Sequence, residues 1–164
     1  MKVKEIMSAN AKACTLTDNL ADAARSMWNA DCGILPVVAE GGKVVGLITD
    51  RDICMAAAIQ GRHLENIAIE DVASGRVFSC KPDDDIHAAL KLMQKNKVRR
   101  LPVVADDGKL AGILSMNDIV VNAKEAPDKK AANLSYADVV ETYKAICAHA
   151  AAHQEAMQPL AAGV

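Results

Sequence analysis

The sequence predicts an α+β fold: two tandem β-α-β-β-α repeats packed as a pseudo-two-fold module, followed by a C-terminal helix. An internal duplication carries this expectation. "GILPVVAEGGKVVGLITDRDI" (33–53) is answered by "RRLPVVADDGKLAGILSMNDI" (99–119), with Pro36 and Pro102 set 102 − 36 = 66 positions apart. The same gapless offset pairs Ser8 with Ser74, Cys14 with Cys80, Asp18 with Asp84, Met27 with Met93, Gly46 with Gly112, Thr49 with Ser115 and Asp52 with Asp118. The second observation is that the hydrophobic period changes in the same order within each half. Two units are too few for a solenoid, so each half is expected to bury an apolar face against the other. The expected divisions are residues 1–65, 66–126 and a tail over 127–164.

Each half opens with a short apolar stretch, "ACTL" and "RVFSC", that can add a strand. "NLADAARSMW" then places Leu20, Ala23, Ala24, Met27 and Trp28 on one helical face, and "DIHAALKLM" does so with Ile86, Ala89, Leu90 and Met93. "ILPVVA" and "KVVGLIT", joined by "EGG", read as a hairpin, as do "LPVVA" and "KLAGILS" joined by "DDG". "DRDICMAAAI" and "MNDIVVNA" return to a helical pattern. In the tail, "EAPDKKAAN" reads as a linker. Ser135 and Asp138 then start a capping box, and Val139, Tyr143, Ile146 and Ala150 line one helical face. Packing of that helix on the module is the favoured arrangement, and "QPLAAGV" at the end is expected to fray.

Composition narrows the functional classes. With 164 residues, 51% hydrophobic and 24% charged, the chain can bury one compact domain or two small fused ones. A formal charge of −2 gives no overall basic excess, which disfavours extended contact with nucleic acid or an anionic membrane. Cys14, Cys32, Cys54, Cys80 and Cys147 form no C-x-x-C pair and sit among apolar neighbours, as reduced thiols in a cytoplasm do. Neither a secretory leader nor a membrane span is indicated.

Chemistry concentrates at "TDRD" (49–52) and "SMND" (115–118). Thr49 with Asp52, and Ser115 with Asp118, have capping-box spacing, a role that needs no ligand. The same groups suit a nucleotide: a hydroxyl at a helix N-terminus can meet phosphate, and a carboxylate can accept from ribose hydroxyls. Gly46 and Gly112 permit close backbone approach in the preceding strand. Cationic groups differ between halves, with Arg51 standing where the second half has Asn117, and Arg99 and Arg100 where the first has Gly33 and Ile34. Other motifs point to structure. "DDD" at 83–85 suits a helix N-terminus, and "GGK" at 41–43 lacks the remainder of a phosphate-binding P-loop. His149 and His153, at i, i+4 spacing near Cys147, lack a further metal ligand.

The twice-repeated pattern "LPVV", turn, Gly-h-h-Thr/Ser-x-x-Asp, helix resembles the cystathionine β-synthase (CBS) domain, and the tandem resembles the pair called a Bateman module, over residues 5 to about 124. The resemblance implies a regulatory, non-enzymatic module binding an adenosine-containing ligand such as AMP, ADP, ATP, NAD or S-adenosylmethionine between its repeats. No cofactor is required; the nucleotide itself is the regulatory ligand. By the same resemblance Thr49, Asp52, Ser115 and Asp118 contact the ligand. Arg100 and then Arg99 meet phosphate, a role that suits a guanidinium fork. Thr15 and Lys81, at matched positions before each first helix, are expected to edge the clefts, and Arg51 is a further expected ligand contact. A homodimer through the CBS helices is implied, with an unidentified protein target as a further partner. Two readings compete: a nucleotide-independent interaction scaffold, and a nucleic-acid-binding regulator using Arg99 and Arg100.

Overall fold

The computed structural model describes residues 1–125 and 134–156, with side chains through residue 148. In the first half, β1 (Cys14–Thr15) runs parallel to β2 (Ile34–Val38), which pairs antiparallel with β3 (Val44–Thr49). Helix α1 (Leu20–Asn29) lies between β1 and β2, and α2 (Asp50–Gln60) follows β3. The second half repeats the order with α3 (Ile86–Asn96), β4 (Arg100–Val104), β5 (Leu110–Ser115) and α4 (Met116–Asn122). Its opening strand shrinks to a single parallel bridge between Cys80 and Val103. The remaining long helix, α5, spans Tyr136–Ala156.

Local chemistry places these elements where the pattern predicts them. Asn19 caps α1 by accepting the Asp22 N–H at 2.9 Å, and Asp85 caps α3 by accepting the His87 N–H at 2.9 Å. The "EGG" turn holds Gly41 and Gly42 at φ of +79° and +80°, a conformation that favours glycine, so "GGK" is a turn as expected. Both hairpins carry an irregularity at the same place, between Val37 and Val38 and between Val103 and Val104. Duplication has therefore copied backbone detail as well as pattern.

Two apolar cores follow the 66-residue offset. Cys14, Leu20, Ala23, Met27, Leu35, Val37, Ile48 and Ile53 fill the first, and Cys80, Ile86, Ala89, Met93, Leu101, Val103, Leu114 and Ile119 the second. Burial pushes the Cys14 thiol up to about 11 and the Cys80 thiol up to about 12, so neither is a ready nucleophile.

The halves exchange their leading segments. Val3 lies in the second core, whereas Ile67 and Ile69 lie in the first. Ser8 exchanges two backbone hydrogen bonds with Ile113 of β5, at 2.9 and 3.0 Å, and Ser74 exchanges two with Leu47 of β3, at 2.9 and 3.0 Å. Gly112 and Gly46 make room for these crossings: an added Cβ would lie 2.6 Å from the Ser8 carbonyl oxygen and 3.1 Å from that of Ser74. Close approach at the two glycines thus serves the chain itself. Asp83, from the acidic run, accepts from Lys2 at 2.6 Å and lies 2.8 Å from Lys4, fixing the N-terminal segment to the second half. Those hydrogen bonds hold its carboxyl down at about 2.

Helix α5 breaks the symmetry. Ser135 and Asp138 form the expected capping box, and Ile146 and Thr142 are buried against the second half. Gln94 of α3 donates to Thr142 Oγ1 at 2.8 Å, and Lys97 donates to the Ala145 carbonyl. The matched positions in the first half, Trp28 and Asp31, instead line an open groove of about 500 Å³ between α1 and α2, with Met27, Ile53 and Ala57. Trp28 is 87% exposed, contrary to its expected place in the core, because among the described residues no helix covers this half as α5 covers the other. The linker centre and "QPLAAGV" fall outside the described residues, and Ala150, His149 and His153 outside the described side chains.

Candidate functional site

Two clefts open at the strand-to-helix junctions. The first, of about 320 Å³, is lined by Thr49 and Asp52 at the β3–α2 junction together with Ile34, Leu47, Ser74, Arg76, Phe78, Val98, Arg99 and Arg100. The second, of about 330 Å³, is lined by Ser115, Asn117 and Asp118 at the β5–α4 junction, with Ile113, Arg100, Ser8, Asn10, Lys12, Asp31, Cys32 and Ile34 among the facing residues. Each cleft thus joins one half's motif to two segments of the other half. The linings correspond at the 66-residue offset: Ser8 with Ser74, Asn10 with Arg76, Lys12 with Phe78, Cys32 with Val98, and Leu47 with Ile113. Ile34 and Arg100 are also a matched pair, and both line both clefts.

The motif side chains act as helix caps. Asp52 Oδ2 accepts from the Thr49 backbone N–H at 2.9 Å and from its hydroxyl at 2.7 Å, while the Asp52 N–H donates to Thr49 Oγ1 at 3.2 Å. Ser115 and Asp118 repeat this at 2.8, 2.6 and 3.3 Å. Ser135 and Asp138 at the start of α5 do so a third time, at 2.9, 2.6 and 3.2 Å. That third copy is instructive, since it caps a helix packed on the core. Capping geometry alone therefore identifies no ligand site. What distinguishes Asp52 and Asp118 is the cavity in front of them, toward which each cap, using only one carboxylate oxygen as at Asp138, leaves the other oxygen. Among the described residues Asp52 Oδ1 accepts no hydrogen bond, and Asp118 Oδ1 receives only a 3.4 Å contact from the Ser8 hydroxyl.

Electrostatics separate the clefts. The first presents Arg76, Arg99 and Arg100 against Asp52, and the second presents Lys12 and Arg100 against Asp31 and Asp118. Arg76 lies with its guanidinium carbon 5.0 Å from the centre of the Phe78 ring, an arrangement that orients a cation beside an apolar face.

Of the residues singled out from sequence, Thr49, Asp52, Arg99 and Arg100 come together in the first cleft, and Ser115, Asp118 and Arg100 in the second. Arg51 is exposed at the start of α2 and lines neither. Thr15 and Lys81 also stand outside. The Thr15 backbone is turned onto Asp18, and the Lys81 ammonium pairs with Asp106 at 2.7 Å in the neighbouring hairpin turn. The cleft edges are formed instead by the residues three positions earlier, Lys12 and Phe78. Sequence reading missed these, along with Asn10, Arg76, Ser8 and Ser74. The matched Ser8 and Ser74 offered a signal, but the exchange of leading segments that brings them to the clefts leaves no mark in hydrophobic periodicity.

Comparison with known proteins agrees with this architecture. The CBS domain family model matches residues 3–59 and 69–125, and the chain belongs to that family as a CBS domain pair. It is 31% identical over 139 residues to the CBS domain-containing protein YhcV of Bacillus subtilis, covering 84% of this chain and 97% of that one. It is 34% identical over 104 residues to protein MK0525 of Methanopyrus kandleri, covering 63% of this chain and about half, 53%, of that relative's length. The crystal structure of the CBS domain pair of protein MJ0100, in complex with 5′-methylthioadenosine and S-adenosyl-L-methionine, superposes with a TM-score of 0.67 at 28% identity over 74% of this chain and 94% of that one. Among the described residues no helix is long and apolar enough to cross a membrane, and no group of His, Cys, Asp and Glu is arranged to hold a metal ion.

Proposed function

We propose that the chain is a regulatory module that binds an adenosine-containing small molecule, of the class of AMP, ADP, ATP, NAD or S-adenosylmethionine, in the clefts between its repeats. The observation that carries this reading is the duplicated cleft in which a capping carboxylate keeps one oxygen for an incoming donor. Paired ribose hydroxyls fit such an acceptor, and the neighbouring hydroxyl and guanidinium groups fit phosphate. The MJ0100 pair, with two adenosine compounds bound, supports the ligand class. Thr49, Asp52, Ser115 and Asp118 are assigned to the ligand, Arg100 and Arg99 to phosphate, and Lys12 and Phe78 to the cleft edges. The module carries out no reaction in this reading; ligand occupancy is its output. A cytoplasmic setting suits five cysteines that form no disulfide.

Calorimetric titration of the purified chain with adenosine and with AMP tests the reading, with saturable heats and a raised unfolding midpoint expected. A chain that binds neither compound contradicts it.

The bound state is passed on through a second copy of the chain or a protein target. The groove beside Trp28 supports a homodimer, because the matched face of the other half is already covered by α5. Trp28→Glu should then shift sedimentation from dimer to monomer. A wild-type chain that sediments as a monomer contradicts this pairing.

A further inference from the structure

We propose that the two clefts divide the ligands between them: the Thr49 cleft takes a phosphorylated nucleotide, the Ser115 cleft takes an uncharged nucleoside, and Arg100 enforces the division. The inference rests on the adenosine reading above. Duplication alone would give two equivalent sites, and substitutions at matched positions remove that equivalence. Asn10 in the second cleft is answered by Arg76 in the first; Gly33, which lines neither cleft, is answered by Arg99, which lines the first; Lys12 in the second is answered by Phe78 in the first, while Arg100 serves both. The first cleft therefore has three cationic side chains against one carboxylate, and the second has two against two. A phosphate entering the first meets a surplus of positive charge. One entering the second meets Asp31 as well as the carboxylate assigned to ribose.

Arg100 makes the clefts interdependent. It lines both, and its matched position in the first half is Ile34, which contributes no charge. Among the described residues Arg100 makes no salt bridge, so its guanidinium is uncommitted before a ligand arrives. Once its planar fork engages a phosphate in the first cleft, a second phosphate in the adjoining cleft finds Lys12 but loses Arg100, and is repelled by the dianion already bound. An uncharged nucleoside in the second cleft meets neither penalty. Mixed occupancy is then the preferred state.

The test is calorimetry on the full chain with AMP, adenosine and the two in sequence. The first AMP should bind at least ~10-fold more tightly than the second, the scale of one charge-assisted hydrogen bond. Adenosine added after one equivalent of AMP should bind the Ser115 cleft with the affinity it has there in the free chain. Asp52→Asn should weaken the tight AMP step, and Asp118→Asn should leave it unchanged. Arg100→Gln should lower the first AMP affinity ~10-fold and narrow the gap between the two steps, while leaving adenosine unaffected. Two AMP steps of equal affinity, a gap that persists in Arg100→Gln, or loss of the tight step in Asp118→Asn rather than Asp52→Asn would overturn the division of ligands while leaving nucleotide binding in place. Absence of binding by both compounds would overturn the underlying reading and this inference with it.

Discussion

Ile146→Ala should lower the stability of the folded chain by about 2–5 kcal/mol, the cost of truncating a large aliphatic side chain in a packed core. Ile146 is 8% exposed and belongs to the same apolar cluster as Met93, Ile119 and Leu134, so α5 is a structural part of the second half. Val140, on the same helix, is 54% exposed, and Val140→Ala should change stability by no more than about 0.5 kcal/mol. Urea unfolding of both variants reads the difference directly. Equal, small effects would show that α5 is only loosely attached.

Gly112→Ala should cost about 1–3 kcal/mol through overpacking, and more than Gly46→Ala. The added methyl would meet the Ser8 carbonyl oxygen at 2.6 Å, with Ala9 Cα and the Met7 sulfur each at 3.2 Å, whereas at Gly46 the nearest atom is the Ser74 carbonyl oxygen at 3.1 Å. Relief at Gly112 requires the N-terminal segment to lift from β5. Ser8, Asn10 and Lys12 would move with it, so ligand affinity in the second cleft should fall with stability. Thermal unfolding and hydrogen exchange at Ile113 measure the two consequences. A fully stable Gly112→Ala chain with Ile113 still protected would contradict the crossing.

The duplication made most of the fold legible. A gapless offset of 66 residues fixes matched hairpins, helices and cores, and alternation and helical period identify each element within the unit. Helix caps were equally legible, since Thr49, Ser115 and Ser135 each carry the spacing that the backbone requires. The limits lie in contacts between segments distant in the chain. Nothing in the local pattern tells that Val3 belongs to the second core and Ile69 to the first, because both are apolar residues suited to either. The same exchange brings Lys12 and Phe78 to the cleft edges, where matched position alone had suggested Thr15 and Lys81. Trp28 shows the complementary case: its helical phase matches that of Gln94, but among the described residues a later helix covers the Gln94 face and not the Trp28 face.

The most direct test of the account is the ligand affinity of Asp52→Asn, Asp118→Asn and the double variant. Asparagine keeps an acceptor for the capping bonds but removes the charge, so the unfolding midpoint should move little. Losing a charged acceptor for a ribose hydroxyl should weaken adenosine binding by about 10- to 100-fold at the altered cleft, equivalent to about 1.5–3 kcal/mol. Calorimetric titration with adenosine, checked against urea unfolding of the same preparations, separates the two roles. The account predicts folded variants with reduced affinity, the double variant losing most. Unchanged affinity in both single variants and in the double variant would leave Asp52 and Asp118 as helix caps and contradict the assignment of the clefts.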